Sequence, residues 1–171
     1  MAVDVRRRRA LKSRENGAAI AVEPLRGHAV RLGSLEGGAA FFLRAAHDAS
    51  AQAFAARTAH LGVGAGEYAS LTVIDANPGI TQGRLGLATG RHMSTLTPIL
   101  RRLEQEGLIV RNAVPADRRS FALSLTPLGV ERLHEIALIA SEHERELDRI
   151  IGSQRKAEFV RILRRIQTLL P

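Results

Sequence analysis

In "LEGGAAFFLRAAHDASAQAFAARTAHL" apolar side chains recur every three to four positions, at Leu35, Phe42, Ala46, Ala49, Ala53 and Ala56. That spacing predicts a long first helix over 34–61 with Ser34 as its N-cap. "GVGAG" (62–66) ends it, because three glycines in five residues have little helical propensity. A second helix, "EYASLTVIDAN", turns Tyr68, Leu71 and Ile74 to one face and stops at Asn77-Pro78-Gly79. The elements then shorten. "ITQGRLGLATG" (80–90) reads as a helix capped by Thr81 and ended by Gly90. "MSTLTPILRRLEQEG" (93–107) reads as another, with Leu96, Ile99, Leu100 and Leu103 as its buried stripe and Gly107 as a left-handed terminator. Pro98 near its start predicts a short offset or slight bend.

After Gly107 the period changes to two. "LIVRN" suits a strand and "SFALSL", with Phe121, Leu123 and Leu125 on one face, suits its partner, so that "AVPAD" and two arginines form the connection. Two short helices followed by a hairpin make a winged helix-turn-helix. Thr126 caps a further helix whose first position is Pro127, where a missing N–H costs nothing. It runs to about Ile151, breaks at "GS", and is followed by a last amphipathic helix, Gln154 to Leu170, with Phe159, Ile162, Leu163, Ile166 and Leu170 inward. The expected class is mainly α with a two-stranded β-wing. Residues 34–171 form the domain, with the winged helix-turn-helix lobe at 66–125. Residues 1–33 hold no sustained period and read as a basic, mostly mobile tail in which "AAIAV" is a short ordered piece.

Composition narrows the function. No run of apolar residues approaches the roughly 20 needed to cross a bilayer, and polar residues interrupt the stretch after Arg6–Arg9, so neither a membrane span nor a secretion signal is expected. A cytoplasmic protein fits. There is no cysteine, which excludes disulfides, thiolate catalysis and thiol redox sensing. The net charge of +8 is uneven: +5 over residues 1–34, −2 over 35–78, +4 over 79–125 and +1 over 126–171. Apart from Lys12 and Lys156 every cationic residue is arginine, whose forked donors suit phosphates and guanine edges, so the two basic segments point to nucleic acid. No enzyme motif competes with that reading. "GVGAG" lacks a following Lys-Ser/Thr and a preceding strand. Glu131, His134, Glu135 and His143 share one helix without a second element to close a metal site, so they read as a solvated face, and no cofactor is expected.

From about Leu61 to Leu128 the chain resembles the MarR family of bacterial transcriptional regulators. The resemblance rests on "NPGITQGRLGLATG", "STLTPILRRLEQEGLIVR" and Asp117-x-Arg119 ahead of Leu125-Thr126, and with the flanking helices it covers roughly residues 35–170. It implies a homodimer in which the first helix (34–61) and the last two (127–170) intertwine while two winged lobes grip a palindrome. "TLTP" is similar to a pattern in peroxide-sensing members, but those need a reactive thiol that this chain lacks.

Site residues follow. In a helix-turn-helix the second helix enters the major groove with its N-terminal end, which makes His92, Ser94, Thr95, Thr97 and Arg101 the candidates for base and phosphate contacts. For Ser94 and Thr95 simple helix capping is the competing explanation. Arg119 aligns with the family's wing arginine, placed over a narrow minor groove, and Arg118 suits phosphate. Asp117, an anion, is expected to hold an arginine, with Arg111 across the hairpin the best candidate. Family members often bind small phenolic or carboxylated molecules between the dimer helices and the lobe. Arg44 and His47 on one face of the first helix, with Tyr68 on the second, would suit an anionic aromatic or an acyl thioester. The expected function is a homodimeric repressor of an inverted-repeat operator, released by such a ligand. The alternative is a sequence-tolerant architectural DNA-binding protein with no ligand switch. The Arg6–Arg9 run would either extend contact along DNA or serve as a solvated end.

Overall fold

The structure is a computed structural model that describes residues 30–114 and 117–170, with side chains outside 114–120. The tail through residue 29, with Arg6–Arg9, lies outside the described residues, as do the side chains of Asp117, Arg118 and Arg119.

The chain divides into two units, residues 1–41 and 42–171. In the first, Gly33–Leu35 form a 3-10 turn and helix α1 (Ala39–Arg57) begins only after Gly37-Gly38. Ser34 therefore lies inside a turn and does not cap the helix, because two adjacent glycines resist helix entry. In the second unit α1 ends four residues before the predicted limit. Buried Thr58 gives its hydroxyl to the carbonyls of Phe54 (2.9 Å) and Val63, and a second 3-10 turn, Ala59–Leu61, leads to Gly62.

Helix α2 (Ala65–Ala76) opens where Glu67 accepts the N–H of Gly64 at 3.1 Å. Strand β1 (Ile80–Thr81), helix α3 (Gln82–Thr89), helix α4 (Met93–Gln105), strands β2 (Ile109–Val114) and β3 (Asp117–Leu125), and helices α5 (Pro127–Ile151) and α6 (Ser153–Leu169) follow. Helix α4 runs through Pro98 as one element. The strands form one antiparallel sheet in the order β1-β3-β2, so the wing carries a third strand that two residues of sequence could not announce. Ile80 pairs with Leu123 instead of starting a helix. The hairpin also reaches further than expected. Asp117, Arg118 and Arg119 belong to β3, not to the connection, and the register breaks between Ala113 and Val114.

The core sits where this sheet and α5 meet α2, α3 and α4. Leu71, Ile74, Leu85, Leu96, Leu100, Leu103, Leu123 and Ile136 are fully enclosed, with Leu108 and Ile109 beside them. The predicted stripes of α2 and α4 hold, with Ile99, Tyr68 and Leu125 packed against the rim and Phe121 exposed beyond it, whereas Phe42, Ala46, Ala49, Ala53 and Ala56 of the α1 spacing are exposed.

The lobe joins α5 through the backbone. Thr126 donates its N–H to Leu108 O at 3.0 Å, and its hydroxyl accepts the N–H of Gly129 at 2.9 Å while donating to Gly107 O at 2.6 Å. A Cβ on buried Gly129 would stand 2.0 Å from Leu108 O, so glycine is required there.

Beyond the bend at Gly152, α6 departs from expectation. None of its residues is buried, and Phe159, Ile162 and Leu170, predicted to face inward, are exposed. Helical period reports an apolar face and not what covers it. Polar ties hold the helices instead. Arg57 on α1 pairs with Glu146 on α5, and Lys156 lies 2.6 Å from Asp148 across the bend. Hydrogen bonding to Arg57 holds the Glu146 carboxyl below its ordinary range, and hydrogen bonding to Asp148 raises the Lys156 ammonium above its own. Among the described residues no helix is long and apolar enough to cross a membrane.

Candidate nucleic-acid interface and effector cavity

The turn between α3 and α4 aims the second helix. Gly90 takes a left-handed conformation at φ 64°, and Arg91 donates its N–H to Gly86 O at 2.9 Å. His92 is then the N-cap, with its carbonyl accepting the N–H groups of Thr95 and Leu96 at 3.0 Å each. Its side chain makes no cap bond, and neither do Ser94 and Thr95, which stand exposed in the first turn. Capping therefore does not account for the two hydroxyls.

Thr97 differs. Its hydroxyl donates to Met93 O at 2.8 Å and accepts from the Gln82 amide at 2.9 Å, so it locks α4 to α3 and has little left for a base. The adjacent arginines divide their work in the same way. Arg102 is turned into the lobe, pairing with Glu67 (3.4 Å) and Glu106 (3.2 Å) and donating to Gly62 O. Arg101 is exposed and has no hydrogen bond or ion pair among the described residues.

On the wing, Arg111 is half-buried with its Nε 2.8 Å from Glu104, which ties β2 back to α4. Sequence reasoning missed that partner because the turn at Gly107 brings the two together without any helical spacing. Whether Asp117 also reaches Arg111 falls on a side chain outside the described residues. The backbone of Arg118 and Arg119 lies in β3, on the arm of the wing.

A cavity of about 410 Å³ opens between α1, α2 and α5. His47 and Tyr68 line it together, whereas Arg44 does not and pairs with Asp48 at 2.7 Å. Phe54 forms the inner wall, its ring 5.6 Å from Tyr68 and 5.6 Å edge-on from His143. His143 is 8% exposed and its Nε2 lies 2.9 Å from Ser50 Oγ. The sequence pattern places His143 among the charges of a solvated helix and does not single out Ser50. Their signal was faint: Ser50 shares a helical face with His47, and His143 shares one with Ala140 and Leu147. No three potential metal ligands come together among the described residues.

A three-stranded wing beside a helix-turn-helix defines the chain as a winged helix-turn-helix protein. Residues 65–121, from α2 into the wing, match the model of the MarR family. A Thauera aromatica protein named for transcriptional regulation of the hcr operon is 33% identical over 135 residues, covering 78% of this chain and 81% of its own. Among solved structures, the transcriptional repressor CouR bound to a 23-mer DNA duplex superposes with a TM-score of 0.73 at 27% identity, over 81% of this chain and 99% of its own. The structure of CouR bound to p-coumaroyl-CoA gives 0.72 at 25% identity, over 80% and 96%. The chain belongs to the MarR family of transcriptional regulators, which are DNA-binding proteins and not enzymes.

Proposed function

We propose that the protein is a homodimeric repressor that binds a palindromic operator in the cytoplasm and is released by a small aromatic carboxylate or acyl thioester. The observation that carries this reading is the start of α4, where His92, Ser94 and Thr95 stand exposed with no side-chain hydrogen bond among the described residues, in the same lobe as a two-stranded arm bearing two arginines. Those three residues and Arg101 would meet base edges and phosphates, with Thr97 and Gln82 holding the helix at its angle. Arg118 and Arg119 would follow the wing to phosphate and minor groove. Arg111, with Glu104 and Asp117, would brace the wing. The exposed apolar face of α6 supports the dimer, because a second copy would cover it. CouR, a repressor seen on DNA and with p-coumaroyl-CoA, supports the repressor and effector readings. His47 and Tyr68 would sit at the effector cavity, and Arg44 would act from outside it.

The test is fluorescence anisotropy at physiological salt, with DNA from upstream of the protein's own gene against a scrambled duplex of equal length. Tight binding to the first alone, weakened at least about tenfold by Arg119→Ala, is the expected result. Equal binding to both duplexes would instead favour a sequence-tolerant architectural protein.

A further inference from the structure

Resting on the operator reading above, we infer that Arg102 is a positioning residue for DNA recognition. It ties the reading helix α4 to the connection between α1 and α2, and the angle at which Ser94 and Thr95 meet base edges depends on that tie.

The connection is pliant by sequence and pinned in the fold. Gly62, Gly64 and Gly66 would let it wander, yet side chains from α2, α4, α5 and the end of α1 hold it at consecutive residues, Leu61 to Gly64. Arg132 on α5 donates to Leu61 O at 3.0 Å. Arg102 on α4 donates to Gly62 O, and Thr58 at the end of α1 donates to Val63 O. Glu67 on α2 accepts the N–H of Gly64 at 3.1 Å. The other oxygen of the Glu67 carboxylate lies 3.4 Å from Arg102 Nη1, so the arginine holds the connection twice.

The guanidinium of Arg102 has nothing left for DNA. Its Nη2 goes to Gly62 O, its Nη1 to Glu67, and its Nε lies 3.2 Å from Glu106, so every nitrogen of the fork is committed inside the protein. Arg101 beside it is exposed with no hydrogen bond or ion pair among the described residues, and is the one left for phosphate. The other holds on α4 lead elsewhere: Thr97 ties it to α3 through Gln82, and Leu108 O takes the N–H of Thr126 at the head of α5. Arg102 adds a link to the chain that leads out of α1. Partly exposed ion pairs add little to stability, so what these contacts supply is placement. A lysine would bring one ammonium on a flexible stem and could not span the three acceptors.

Fluorescence anisotropy of the full chain over a salt series, with the same upstream and scrambled duplexes, tests the inference. Arg102→Gln should weaken upstream DNA by about tenfold and leave scrambled DNA unchanged. The slope of log Kd against log salt should stay as it was, because base contacts shift while no phosphate contact is lost. Arg101→Gln should instead lower that slope by about one on both duplexes. Arg102→Lys should recover little of the loss. In amide hydrogen exchange Arg102→Gln should open Gly62 and Gly64 at least about tenfold faster, while the enclosed Leu100 and Leu123 keep their protection. A lower salt slope in Arg102→Gln would make the residue a phosphate contact, and full recovery with lysine would make charge sufficient. Either result overturns the inference, as would unchanged exchange at Gly62 and Gly64 or lost protection at Leu100 and Leu123. Specific binding that survives Arg102→Gln undiminished would overturn it alone and leave the repressor reading standing. Equal binding of the natural chain to both duplexes would remove the repressor reading and the positioning role together.

Discussion

The lobe, together with the inner face of α5, and the outer frame of α5 and α6 treat apolar residues in opposite ways. In the lobe, Leu71, Leu85, Leu96, Leu100, Leu103 and Leu123 are all at 0% exposure within one chain. On α6 nothing is buried, and Phe159, Ile162, Leu169 and Leu170 keep 41%, 46%, 69% and 68% of their surface. Leu138 and Ile150 on α5 are also exposed. The lobe's core is complete in a single chain. Among the described residues nothing covers the apolar face of the frame, and on the dimer proposed above its stability should depend on concentration.

The contrast can be broken first at its strongest point. Leu100→Ala removes a fully enclosed side chain from the middle of the α4 stripe and should cost about 3 kcal/mol, read as a shift in the denaturation midpoint that does not change with protein concentration. A concentration-dependent shift would mean that the lobe also leans on association. Ile162→Asp should do the reverse. It should raise the concentration at which the protein dissociates by at least about tenfold in sedimentation while the lobe still melts cooperatively. Loss of lobe structure in that variant would show that the two regions are not separable.

The smallest expected effect is on the tie between α1 and α5. The carboxyl of Glu146 is held below its ordinary range by Arg57, so the tie contributes stability above the unfolded carboxyl's range and loses it as pH falls through the lower folded value. Arg57→Ala should therefore be slightly less stable than the natural chain at neutral pH, and thermal melts of the two should converge in acid. A constant gap across pH would assign the effect to lost packing of the arginine stem.

What the sequence made legible was local. Thr81, Gly90, Gly107, Thr126 and Gly152 all stand at the element ends where cap and breaker chemistry put them. The stripes of α2 and α4 were readable because helical period maps onto burial wherever the covering elements lie in the same chain. The α6 face failed on that point alone. Strand β1 escaped because two residues carry no period. The pairs Arg111–Glu104 and Ser50–His143 escaped because they depend on how helices and strands meet, and Ser50 and His143 are 93 residues apart. At the candidate interface His92, Ser94, Thr95 and Arg101 are exposed, whereas Thr97 is half-buried. An internal bond to Gln82 is invisible without the crossing of α3 and α4.

The junction at Thr126 and Gly129 has a mechanical meaning. Leu108 closes the end of α4 by donating to Leu103 O, and its own carbonyl takes the N–H of Thr126 and faces bare glycine, so α4 and α5 are welded main chain to main chain with no side-chain hinge between them. Helix α5 has 25 residues and, at about 1.5 Å per residue, is an arm of about 37 Å. A tilt of about 5° would swing its far end by about 3 Å, close to the rise of one base pair along B-DNA. The cavity lies beside this arm, and on the effector reading proposed above a guest that tilts α5 by a few degrees about its Ile151 end would shift the lobe welded to its Thr126 end by that distance.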